Sequence, residues 1–68
     1  MDLALARVLV KAKKLDKWVP VRYLKKHDIE RINLLQLEDE GLILTTHHED
    51  AGILLKLTLK GYHRFKNL

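Results

Sequence analysis

Residues 19–43, VPVRYLKKHDIERINLLQLEDEGLI, read as a short helix, a tight turn, a longer helix and the start of a strand. Pro20 suits the first position of the short helix, where its missing N–H costs nothing. Val21 and Leu24 then form the inward pair, and Arg22, Lys25 and Lys26 face out. His27-Asp28 forms the turn, with Asp28 placed to cap the next helix through its carboxylate. In that helix Leu34 and Leu37 point inward. Gly41 ends it in a left-handed cap that only Gly adopts cheaply. Glu38, Asp39 and Glu40 crowd the helix's negative end, which is mildly unfavourable.

Working outward, Asp2 is placed to cap a first helix running to about Lys14. Wound at helical pitch, Ala4, Leu5, Val8, Leu9, Ala12 and Leu15 make one apolar face, opposite Arg7, Lys11 and Lys14. Leu3, Ala6 and Val10 widen that arc beyond what one small core needs. Burial on two sides within the domain would explain the width. A homodimer contact through helix 1 explains it too, and a small core gains much from a partner. Asp16-Lys17-Trp18-Val19 reads as a short extended connection.

After Gly41 the apolar period changes from helical to alternating. Leu42, Leu44 and Thr46 share one side of a strand; Ile53, Leu55, Leu57 and Leu59 share one side of its returning neighbour. His48-Glu49-Asp50-Ala51-Gly52 is the hairpin loop between them. Thr58 caps a last helix from Leu59 to about Lys66, with Tyr62 and Phe65 packing back. The expected fold class is α+β, mainly α, in a single domain spanning 1–68.

With 68 residues the chain can bury little surface, and 47% hydrophobic content offsets that limit. The absence of Cys removes disulfides and thiol chemistry and points to a reducing, cytoplasmic setting. No apolar run reaches the roughly 18 residues of a membrane span, and Met1 to Leu15 is too cationic for a signal-peptide core. The net charge is +4, and its distribution matters more than its sum. Residues 7 to 26 hold Arg7, Lys11, Lys13, Lys14, Lys17, Arg22, Lys25 and Lys26 against Asp16 alone, a net of +7. Residues 28 to 50 hold Asp28, Glu30, Glu38, Asp39, Glu40, Glu49 and Asp50 against Arg31, a net of −6.

Leu37-Glu38-Asp39-Glu40-Gly41-Leu42-Ile43 resembles the recognition-helix exit of winged helix-turn-helix domains, in which Leu anchors the core and Gly turns the chain into the wing. Leu57-Thr58-Leu59-Lys60-Gly61-Tyr62 resembles the same superfamily's exit from the wing into a final helix. Trp18-Val19-Pro20 with the Gly61-Tyr62 ending is also similar to the winged helix preceding RIO-type kinases; a kinase cannot fit in this chain, so that likeness adds no catalysis. The resemblance implies three helices, a hairpin wing and a short C-terminal helix. It also implies a small DNA-binding protein, a transcriptional regulator contacting duplex DNA with helix 2 and the start of helix 3.

On that implied face Arg31 could read guanine and Gln36 adenine, each by a bidentate contact, with Asn33 a third candidate nearer the packed side. Arg22, Lys25 and Lys26 would hold phosphates, joined by Lys11, Lys13, Lys14 and Lys17, since phosphate contact needs only positive charge at the right distance. A solvated basic face that keeps a small protein soluble is the competing account. In the wing, only Lys56 or Lys60 could reach phosphate, because the tip carries His47, His48, Glu49 and Asp50. Adjacent strand residues point to opposite faces, so His47 and His48 cannot chelate one ion without a bulge, and no metal or other cofactor is expected. No Ser or Cys nucleophile and no phosphate-cradling Gly loop is present, so the chain reads as a non-enzyme.

The acids on helix 3 argue the other way, since Asp28, Glu30 and Asp39 repel phosphate. Ile32 and Leu35 would also stand as large apolar groups beside them. A protein-interaction module using that acidic, apolar surface is therefore the alternative, with Leu3, Val10, Ile32 and Leu35 as partner contacts. RNA binding through the basic helix 1 to helix 2 surface is a third reading.

Overall fold

The computed structural model describes residues 3–26 and 34–67, with the backbone only at Lys26. The expectations placed on Asp2, on the His27-Asp28 turn and on Glu30, Arg31, Ile32 and Asn33 lie outside the described residues. Within them the chain is α+β and about half helical. The elements run α1 (Leu3–Lys14), β1 (Val19–Pro20), α2 (Val21–Lys26), α3 (Leu34–Asp39), β2 (Ile43–His48), β3 (Gly52–Leu57) and α4 (Leu59–Phe65). The three strands form an antiparallel sheet in the order β1-β3-β2.

The segment expected only as an extended connection therefore supplies a strand. Val19 pairs with Leu55 and Pro20 with Leu54. Pro20 closes β1 instead of opening α2, and it is tolerated there because β1 is an edge strand. Asp16 is not extended. It has a φ of +54°, the Lys17 N–H donates to the Ala12 carbonyl at 2.9 Å, and the Asp16 N–H donates to Lys13 at 3.0 Å. That is a Schellman cap with Asp in the left-handed position usually held by Gly.

The second such cap is the one expected. Gly41 has a φ of +72°, and its N–H donates to the Glu38 carbonyl while Leu42 N–H donates to Leu37. Because Leu42 still belongs to the helix cap, strand alternation starts one residue later than the sequence suggests. Ile43 is the buried residue of β2, and Leu44 faces the opposite side, 52% exposed. On β3 the inward pair is Leu55 and Leu57. Ile53 lies toward the hairpin tip and Leu59 in the first turn of α4, and both are exposed.

The core gathers Leu5, Ala6 and Leu9 from α1, Leu24 from α2, and Val19, Leu42, Ile43, Leu55, Leu57 and Phe65 around the sheet. Val21, Leu34, Leu37 and Tyr62 pack at its margin. The inward face of α1 is rotated from the expected one: Ala6 is buried, whereas Ala4 and Leu15 are exposed. α4 packs along α1 and draws Ala6 inward, and Leu15 lies beyond the helix end.

One junction ties the two halves of the fold. The Thr58 hydroxyl accepts the Gly61 N–H at 3.0 Å, capping α4, and donates to the Gly41 carbonyl at 2.6 Å. The Thr58 N–H donates to the Leu42 carbonyl at 3.0 Å, and Lys60 Nζ donates to the Glu40 carbonyl at 2.9 Å. Gly61 lies so close that a Cβ there would stand 2.0 Å from the Leu42 carbonyl oxygen. Carbonyls left over at the end of α3 thus find donors at the start of α4.

Candidate functional site

The basic residues that were contiguous in sequence separate into two groups in space. α2 packs on β1 and β3, and Arg22 and Lys25 stand exposed on it. α1 packs on β3 and α4, and its cations line a groove to which α2 contributes no residue. There Arg7, Lys11 and Lys14 meet Lys66, just past α4, around a groove of about 260 Å³. Leu3, Ala6, Val10 and Phe65 line the same groove. Leu3 and Val10, expected as partner contacts, are thus brought together, whereas Phe65 and Lys66 join them without any signal in the local sequence. The over-wide apolar arc of α1 was the available hint.

Lys56 has a different setting from the other cations. Its ammonium donates to the Asp16 carboxylate, forms an ion pair with it, and sits 5.6 Å from the centroid of the Trp18 ring. Its side chain is 17% exposed. A phosphate reaching it would have to displace a carboxylate and part of a cation–π contact. The hydrogen bond from Lys56, reinforced by its charge, holds the Asp16 carboxyl below the ordinary aspartate range.

On α3, Gln36 and Leu35 are exposed, and Leu35 is 73% exposed. Asp39 follows Leu35 at i+4 and so shares its face. Glu38 accepts a hydrogen bond from the Thr45 hydroxyl at 2.5 Å, which ties the acidic end of α3 to β2. Arg31, Asn33 and Ile32, the other residues expected on this surface, lie outside the described residues.

At the hairpin tip His48 serves the turn. Its Nδ1 accepts the N–H groups of Asp50 and Ala51, each at 3.1 Å. Among the described residues no three His, Asp or Glu side chains are placed to hold a metal ion. No helix among them is long and apolar enough to cross a membrane. Comparison with protein-family models, curated proteins and solved structures finds no match to this chain.

Proposed function

We propose that the chain is a winged helix-turn-helix domain that binds duplex DNA as a transcriptional regulator. The observation that carries this reading is the element order α1-β1-α2-α3-β2-β3 with the sheet ordered β1-β3-β2. That arrangement is compatible with a wing closing against the strand before α2. Arg22 and Lys25 support it as exposed cations on α2 that could hold phosphates, with Lys26 beside them in sequence. Arg31, Asn33 and Gln36 are the proposed base readers. Lys56 contributes little, because Asp16 already holds its charge.

Gel shifts against random duplex pools at low salt test this reading. Binding should weaken steeply as salt rises and be lost in the Arg22→Glu, Lys25→Glu double variant. No shift at micromolar protein would end the proposal.

Leu35 favours a second reading, a protein-interaction module. A Leu that is 73% exposed beside Asp39 suits a contact surface better than a phosphate-facing one.

A further inference from the structure

The charges that segregate along the sequence also form two complementary surfaces. The groove between α1 and α4 has an apolar floor, Leu3, Ala6, Val10 and Phe65, within a cationic rim. Of the rim residues, Lys66 lies 5.7 Å from the centroid of the Tyr62 ring. Among the described residues none of Arg7, Lys11, Lys14 and Lys66 has a carboxylate within ion-pairing distance. The exposed end of α3 has the converse composition: one protruding Leu35, with Asp39 one turn on and Glu40 beside it. We propose that the α1–α4 groove of one copy takes the Leu35–Glu40 stretch, α3 and the residue that follows it, from a second copy.

Charge decides the geometry. A two-fold contact through α1 would set the same four cations against each other, which costs energy in a partly desolvated seam. A head-to-tail contact instead puts Asp39 and Glu40 against Lys11 and Lys14, and Leu35 over the apolar floor. Such a contact leaves a free groove at one end and a free α3 at the other. Two copies can close reciprocally, each groove taking the other's α3, or copies can add in a chain or ring. This gives the second functional reading its partner, and it is independent of DNA.

The test is sedimentation of the full chain without nucleic acid, from ~10 μM to ~1 mM protein in about 20 mM salt, where charges act over roughly 20 Å. The average mass should climb above the 8.0 kDa monomer, to a dimer or beyond, and fall back to 8.0 kDa when salt is raised. Two reversed variants identify the contact: Lys11→Glu with Lys14→Glu, and Asp39→Lys with Glu40→Lys. Each alone should be monomeric at every concentration, and an equimolar mixture should assemble again, because each then offers the charge the other lost. Leu35→Asp provides a third disruption that leaves the groove untouched.

A wild-type chain that stays monomeric overturns self-docking while leaving a different partner for α3 open. Assembly that survives the groove variant, or a mixture that stays monomeric, overturns the groove as its seat. All five substituted side chains are exposed, so thermal melts close to wild type should accompany each result.

Discussion

The junction between α3 and α4 and the outer end of the β2–β3 hairpin are joined by the same two strands, yet they are built on different physics. At the junction every exchange ends on a backbone carbonyl: Thr58 to Gly41 and Leu42, Lys60 to Glu40, and Gly61 against the Leu42 carbonyl. Buried Leu42, Ile43, Leu57 and Phe65 surround it. At the hairpin end His47 through Asp50 are exposed, Ile53 is 46% exposed, and the main organising contact is His48 onto two backbone N–H groups. The difference separates what the fold requires from what it merely carries. In a 68-residue chain the first should unfold the domain when altered, and the second should not.

The largest effect should come from Gly61→Ala. Its Cβ would meet a backbone carbonyl, which cannot swing aside as a side chain can. α4 must move away from the end of α3, stretching the Thr58 and Lys60 bonds and lifting Phe65 from the core. A loss of about 3 kcal/mol or more is expected, a large part of the stability of a small domain. Urea melts measure it. A change under about 1 kcal/mol would mean the junction is as forgiving as the hairpin end, and the comparison would fail.

Both halves of this junction were visible in the sequence as separate signals. Gly41 after a helical period announces a left-handed cap, and Thr58 ahead of the last helix announces an N-cap; both stand as expected. That the two ends bond to each other was not legible, because 17 residues separate Thr58 from Gly41. The misread strand phase has a local cause. Leu42 is apolar and sits where a strand begins, but the Schellman cap claims its N–H, which shifts alternation to Ile43. The strand at Val19-Pro20 was hidden because two residues show no period, and its existence depends on β3, more than thirty residues on. The split of the basic residues between α2 and the α1–α4 groove follows from packing that no linear tally of charge contains. In sequence Asp16 reads as part of a connection, and its left-handed backbone has no composition signal beyond the tolerance Asp shares with Asn.

Asp16 tests a site between the two extremes, where a helix cap meets the outer side of β3. Its pKa is lowered in the fold, chiefly by the hydrogen bond from Lys56. A carboxyl with a depressed folded value contributes stability that is fully present above its unfolded value and is lost as pH falls through the folded one. Asp16→Asn keeps a residue that accepts the left-handed backbone and removes only the charge. Stability at neutral pH should drop modestly, since the carboxylate is 85% exposed and solvent screens the pair. Below the folded value the variant and wild type should converge. Equal slopes of stability against pH in the acid range would show that the pair contributes nothing to the attachment of α1.

The smallest effect belongs to the hairpin end. His48→Ala removes the acceptor for the Asp50 and Ala51 N–H groups. Both of these lie in a surface turn, so water replaces the lost bonds and the global cost should stay below about 1 kcal/mol. The change should appear instead as faster hydrogen exchange at Asp50 and Ala51, with exchange at Leu55 and Leu57 unaltered. If His48→Ala instead accelerated exchange across β3 and lowered stability as much as Gly61→Ala, the hairpin end would be part of the cooperative unit. Its exposed Ile53 and its turn would then count among the residues that hold the fold together.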